Sequence, residues 1–304
     1  MAISRAQLVK ELEPGLNALF GLEYKRYDNQ HAEIYTNESS DRAFEEEVML
    51  SGFANANVKV EGSGVNYDQS QETYTARYTH DTIALAFAIT EEAIEDNLYD
   101  KISSRYTKAL ARSMSNAKQV KAAAPLNNGL PTADNFDSGD GVSLFNTSHT
   151  TVSGTAVSNT LSTQADLNET SLEQALIDIA AFTDERGLRV AAKGVKMIIP
   201  SANQFSAERL LKSQGRTGTA DNDINAVVSM GMVPQGYRVN NFLTDSDSWY
   251  IITDVPNGMK MFTRAPLTTA MEGDFDTGNV RYKARERYSF GVSDYRGIFG
   301  CEGA

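Results

Sequence analysis

The sequence predicts an α+β chain, and three observations carry the prediction. Residues 90–124 contain no Gly and no Pro, and Ile94, Leu98, Ile102, Tyr106, Leu110, Met114, Ala117 and Val120 recur near the 3.6-residue helical period. Two stretches alternate with a period of two. Ile83, Leu85, Phe87 and Ile89 interleave with alanines, and Val280, Tyr282, Ala284 and Tyr288 interleave with Arg281, Lys283, Arg285 and Arg287. Finally, the apolar run Met197-Ile198-Ile199 precedes a helical pattern from Ser201 to Lys212, a compact α/β unit.

Taken in order, residues 1–47 read as an N-terminal arm, with one helix broken at Pro14-Gly15 and a short apolar face of Leu16, Leu19, Phe20 and Leu22. Residues 48–89 read as a long hairpin that enters at Val58-Lys59-Val60, turns through Gly62 and Gly64, and returns through Tyr74, Ala76 and Tyr78. Its tip offers little to bury locally, so it needs another surface to lie on. The helix of residues 90–124 follows, with Thr90 as N-cap and Pro125 and Asn128-Gly129 as stop. Acidic residues lead it and basic residues end it, as the helix dipole favours. Residues 125–170 are Ser/Thr/Asn/Gly-rich and read as a flexible loop, and residues 171–186 as a second helix ending at Gly187. In the unit of residues 195–255, Phe205, Leu210 and Leu211 are expected to be buried, and Val227 to Val233 and Tyr237 to Phe242 to return to a sheet. Pro256-Asn257-Gly258 reads as a hairpin turn, and Val280 to Phe290 as the last strand.

Composition narrows the function. A net charge of −12 over 304 residues argues against a general nucleic-acid binder. No apolar run is long enough to span a membrane, the N-terminus lacks a secretory h-region, and the single cysteine, Cys301, has no internal partner. His31, His80 and His149 lack metal-ligand spacing, Asp221-Asn222-Asp223 lacks the rest of a calcium loop, and no nucleophile elbow or phosphate loop occurs. The expectation is therefore a non-enzymatic protein without cofactor or metal.

The ordered set of elements resembles the major capsid proteins of tailed bacteriophages with the HK97 fold. Phe44 to Gly52, Thr82 to Tyr99, Phe182-Thr183-Asp184-Glu185-Arg186-Gly187, Met197 to Pro200, Leu243-Thr244-Asp245 with Trp249, and Tyr295-Arg296-Gly297 carry the resemblance. It implies an arm (1–47), an E-loop hairpin (48–89), a P-domain with its spine helix (90–194), a compact A-domain (195–255), and a return to the P-domain (256–304). It also implies a structural function, self-assembly as pentamers and hexamers into an icosahedral shell around double-stranded DNA. DNA is enclosed without sequence-specific binding, and no membrane is involved. The implied partners are a separate scaffolding protein and a portal, with a decoration protein left open. The place would be the virion, after assembly in the host cytoplasm. An encapsulin-type nanocompartment shell and, in a different class, a soluble α+β enzyme are the alternatives.

Within that resemblance, Gly215, Arg216, Thr217, Asp221 and Asp223 would form a loop at the capsomer centre. Lys59 is the only hairpin lysine, hence the only candidate for an inter-subunit isopeptide link. The basic face of Arg281, Lys283, Arg285 and Arg287 has three readings: carboxylates on a neighbouring strand, acidic residues Glu61, Asp68 and Glu72 of another subunit's hairpin, or DNA phosphates. The second is taken as the hypothesis, because the hairpin needs an outside surface. Arg105, Lys108 and Arg112 are expected on a shell surface or subunit contact, and Leu98, Ile102 and Leu110 against the P-domain strands.

Overall fold

A computed structural model describes residues 5–90, 92, 99–132, 136–215, 223–274 and 278–304. Helix α1 (Arg5–Arg26) leads through a 3-10 turn to strand β1 (Thr36–Ser39). The hairpin strands are β2 (Phe44–Leu50) and β3 (Glu72–Thr79), and β4 (Asp81–Ile89) runs toward the long helix α2 (Tyr99–Asn128). Next come β5 (His149–Thr150), β6 (Ala156–Val157), α3 (Glu169–Ala180), β7 (Gly194–Ile199), α4 (Gln204–Lys212) and the one-turn α5 (Ala226–Ser229). Strands β8 (Tyr237–Val239), β9 (Trp249–Thr253), β10 (Met259–Gly273), β11 (Val280–Val292) and β12 (Ile298–Cys301) complete the chain.

Two four-stranded sheets organise these elements. The first has the order β1-β10-β11-β4, and the second β12-β9-β7-β8. Long strands β10 and β11 pair antiparallel, and β11 pairs antiparallel with β4. One face of this sheet carries Tyr282 and Ala284, which pack with Leu110, Ala111 and Met114 of α2 and Leu16 and Phe20 of α1. Each large apolar side chain buried there contributes on the order of 2 kcal/mol. The larger core lies around the second sheet, where Trp249, Tyr250, Phe145 and Phe299 are fully enclosed against α3. Asn168 caps α3 through a reciprocal pair with Ser171.

Several local expectations are corrected by tertiary packing. Helix α1 runs through Pro14 and Gly15 without breaking. Pro14 faces solvent, and the burial of Leu16 and Phe20 on α2 offsets its missing N–H. Helix α2 likewise passes Pro125, because Leu126 is completely buried and Tyr250 donates to the Leu126 carbonyl at 3.3 Å. The Asn127 side chain bonds Phe242 O and Thr244 N–H beside it. Residues 91 and 93–98, where the sequence places the start of that helix and the anchor Leu98, lie outside the described residues, as does the Ile102 side chain.

Helix α3 stops at Ala180 rather than Arg186. A turn follows in which Asp184 accepts from the Leu188 N–H at 2.7 Å, and Gly187 takes a positive φ of 84° inside that turn. Phe205 is exposed, whereas Ala207 and Leu210 face the core. Val227 sits in α5, not in a strand. Asn257 is left-handed as an Asn-Gly turn demands, yet β9 and β10 enter different sheets instead of pairing. Gly258 stands so close to Gly297 that a Cβ there would lie 2.8 Å from the Gly297 Cα, and this backbone contact joins the two sheets. β11 is not the last strand, since β12 returns to pair with β9. The segment 136–167 is irregular but anchored, with Leu144, Phe145, His149 and Asn159 fully buried.

Candidate inter-subunit surfaces

The hairpin is built from β2 and β3 in the register Phe44↔Thr79 to Leu50↔Glu72. Its first strand is therefore Phe44–Leu50, upstream of the expected Val58–Val60, which form no strand. The root is fixed firmly. Tyr78 is buried, its hydroxyl lies 2.5 Å from Ser293 Oγ, and its ring meets Phe262 edge-on at 4.8 Å. Lys260, itself buried, reaches Glu47 of the hairpin at 2.6 Å and Glu38 of β1 at 3.1 Å.

The tip behaves differently. From Phe53 to Ser70 every residue is exposed. Val58 is 95% exposed and Tyr67 98%, with Phe53, Val60 and Val65 well exposed beside them. Only its base is tethered. Arg186 donates to the Gln69 carbonyl and lies 3.9 Å from Asp68. Asp68 accepts from the N–H groups of Ala54 and Gln69, which hold its carboxyl below the usual range. Of the acidic hairpin residues, Asp68 is thus engaged within its own subunit, while Glu61 and Glu72 project freely. Lys59 is exposed and pairs with no carboxylate among the described residues.

The basic stripe emerges on the sheet face opposite α2. Arg281, Lys283 and Arg285 are exposed, and buried Val280, Tyr282 and Ala284 alternate with them. Cross-strand neighbours are small: Ala88, Ala86 and Ala84 on β4, and Ala270 and Thr268 opposite Lys283 and Arg285 on β10. Same-subunit carboxylates neutralise only one end, where Arg281 pairs with Asp274 and faces Glu272 across the strand. Arg287 contacts the His80 carbonyl at 3.5 Å. Lys283 and Arg285 have no carboxylate partner among the described residues.

Of the loop expected at a capsomer centre, Gly215 bridges to Ile224 and Asp223 is exposed. Arg216, Thr217 and Asp221 lie outside the described residues. On α2, Arg105, Lys108 and Arg112 are exposed, and Leu110 is buried on the sheet side.

Three buried polar clusters escape a sequence reading. Arg296 is 3% exposed and holds Glu185 at 2.6 Å, Asp294 at 3.2 Å and the Thr183 carbonyl at 2.8 Å. Burial pushes the Asp294 carboxyl up, against the pull of Arg296. Phe182–Gly187 and Tyr295–Gly297, two separate sequence signatures, are therefore halves of one ion cluster. Lys118 pairs with Glu286 at 3.3 Å, on the buried face of β11, and burial raises that carboxyl too. His149 is wholly enclosed between Asp140 Oδ2 at 2.6 Å and Asn159 Oδ1 at 3.1 Å, and stacks on Tyr295 at 3.9 Å. Burial works against the Asp140 carboxylate, but hydrogen bonds from His149 and Ser138 prevail and hold it below the usual range. The Arg296 and His149 groups are held by one another in the body beneath the hairpin root, whereas Glu286 keeps one buried oxygen without a partner among the described residues.

A family model of phage capsid proteins matches residues 73–300. No curated protein sequence matches the chain. Among solved structures, a virus-like particle from Pyrococcus furiosus is similar at 11% identity, over 95% of this chain and 98% of that one, with a TM-score of 0.54. The capsid of an empty GTA particle is similar at 15% identity, over 91% of both chains, with a TM-score of 0.54. The procapsid of bacteriophage JBD30 is similar at 14% identity, over 99% of this chain and 77% of that one, also with a TM-score of 0.54. At such identities the likeness is one of fold, and it is the HK97-like capsid fold. With three quarters of its length matched by the family model, the chain belongs to the phage capsid protein family.

Proposed function

We propose that this structural protein is the shell-forming subunit of a tailed-phage head. Copies assemble as pentamers and hexamers into an icosahedral container for double-stranded DNA. Assembly takes place in the host cytoplasm with a separate scaffolding protein, around a portal. The arm, hairpin, spine-helix and compact-domain divisions expected from the sequence serve as its working parts.

The observation that carries this reading is the hairpin tip. A monomer gains nothing by projecting Phe53, Val58, Val60, Val65 and Tyr67 into water. A second copy of the chain offers a surface to cover them. The free cations Lys283 and Arg285, on a floor of alanines, suit the free acid Glu61 at the tip of a neighbouring hairpin. The family model describes phage capsid proteins, which favours a phage head over a nanocompartment shell.

Arg285→Glu tests the contact. Reversing one exposed charge per interface is worth about 1 kcal/mol, and every subunit in the shell repeats it. The variant is expected to remain folded, but to need several-fold more protein to assemble and to lose the salt sensitivity of wild-type shells. Sedimentation of assembly mixtures at graded salt reads both effects. Normal assembly with an unchanged salt response would remove the stripe from the interface.

A further inference from the structure

We propose that the outward face of α2 is a phosphate-binding surface for the enclosed DNA, with Arg105, Lys108 and Arg112 as its cations. The inference rests on the shell reading above and gives that reading an inside and an outside.

The first observation is charge segregation. The chain is strongly acidic, at −12, yet between Tyr99 and Asn128 six Lys and Arg residues accompany a single acid, Asp100. The second is how those cations are used. Lys118 and Lys121 are matched within the subunit, by Glu286 and Asp81. Arg105, Lys108 and Arg112 pair with no carboxylate among the described residues, and all three are exposed. At 100° per residue they fall within an arc of about 60°, and they span roughly 10 Å of helix axis. That matches about three base-pair steps of a duplex.

The third observation is the ground between them. Where the end of α1 meets α2, a shallow groove of about 570 Å³ is lined by Tyr27, Lys108, Ala109, Arg112, Ser113 and Asn116. Its lining includes hydrogen-bond donors and no carboxylate, with the Tyr27 hydroxyl donating to Glu23 at 3.2 Å. It also lacks a large aliphatic anchor of the kind protein interfaces bury at their centre. On α1 and α2 the exposed apolar side chains Leu22, Tyr106 and Val120 stand outside the groove lining, whereas the hairpin tip has such anchors in abundance. Phosphate backbones need none, because cations and neutral donors position them without reading sequence. The same face is well placed geometrically. Helix α2 covers one side of the β4–β11 sheet, and Lys283 and Arg285 project from the other. The two basic surfaces thus look in opposite directions, one toward DNA and one toward neighbouring subunits.

The test uses the full chain and a fluorescein-labelled duplex of arbitrary sequence, about 30 base pairs long, with fluorescence anisotropy between about 50 and 200 mM salt. Each phosphate contact contributes about −0.9 to the slope of log affinity against log salt, so wild type is expected near −3. Arg105→Gln/Lys108→Gln/Arg112→Gln is expected to weaken binding at least about tenfold and flatten that slope, and Arg112→Gln alone to reduce it by about 1. Lys283→Gln/Arg285→Gln is expected to leave both unchanged. The proposal is overturned if wild type does not bind, if the triple variant binds with the wild-type slope, or if the stripe variant is the one that loses binding. Electron microscopy of the same samples separates the two readings. Shells from the triple variant support the phosphate role. Failure of the triple variant alone would make this face a contact between copies and overturn the proposal. Absence of shells from wild type would instead overturn the shell reading.

Discussion

Replacing Arg296 by methionine is expected to destabilise the unassembled subunit by about 3–5 kcal/mol. Among the described residues Arg296 is the only cation between Glu185 and Asp294, and all three side chains are buried. Removing it leaves two carboxylates in a region that already penalises their charge, as the raised Asp294 carboxyl shows. The loss comes from stranded charge rather than from a missing contact, so a second variant separates the two. Glu185→Gln/Asp294→Asn/Arg296→Met removes every charge and is expected to recover most of the loss. Urea unfolding of both variants reads the difference. The cluster also lies beneath Tyr295 and the Tyr74 ring of the hairpin, 6.4 Å away from it. Proteolysis within residues 51–71 should therefore accelerate in Arg296→Met. Equal stability of wild type and single variant would mean that the cluster is not saturated as its geometry indicates.

The second large effect is acid sensitivity through His31. This histidine sits in the turn between arm and body, buried against Phe290. Gln119 fixes its tautomer. The Gln119 amide nitrogen donates to the Asp28 carbonyl at 3.2 Å and to His31 Nδ1 at 3.0 Å, while its oxygen accepts the backbone N–H of His31 at 3.1 Å. Nδ1 is therefore an acceptor and the ring is neutral. Burial first and Lys118 second push the imidazole down to about 4. The unfolded chain takes up this proton near pH 6.5 and the folded chain only near 4. In that window the unfolded state binds more protons, so stability is complete above about pH 6.5 and declines as pH falls toward 4. The full loss is about 3 kcal/mol. His80, also pulled down by burial and Arg287, titrates in the same sense, so the informative quantity is a difference between proteins. His31→Gln is expected to flatten the stability–pH curve between these limits. Identical slopes for wild type and variant would rule out His31 as the group responsible.

Much of the architecture was legible because one-sided burial writes itself into periodicity. Strand β11 alternates in burial just as it alternates in charge, and α2 buries Leu110 and Met114 on the expected face. Three misreadings share one cause. Pro14, Pro125 and Asn257-Gly258 carry strong local signals, and in each case packing of distant residues overrode or redirected them. The β2 strand was missed because Glu45, Glu46 and Glu47 mask its pattern, although Glu47 is a carboxylate held by buried Lys260. Glu286 reads as an interruption of an apolar face until Lys118, far away in sequence, is seen beside it. Buried ion pairs of this kind have no local signature. The surfaces were half legible. The sequence located the basic stripe, but only the cross-strand alanines and the Arg281–Asp274 pair reveal that Lys283 and Arg285 are its free members. The partners of Asp68, Ala54 N–H and Arg186, are set by the fold of the tip and leave no mark in the local sequence.

If each subunit covers the hairpin of another copy, electron microscopy of the purified chain shows it most directly. Wild type, expressed with and without a scaffolding protein, should form closed shells of uniform size. A variant with serine at Val58, Val60, Val65 and Tyr67 should remain folded and small, because these side chains touch little of their own subunit. A wild-type chain that stays a monodisperse monomer under every condition, or a tip variant that closes shells as readily as wild type, would contradict that role for the hairpin.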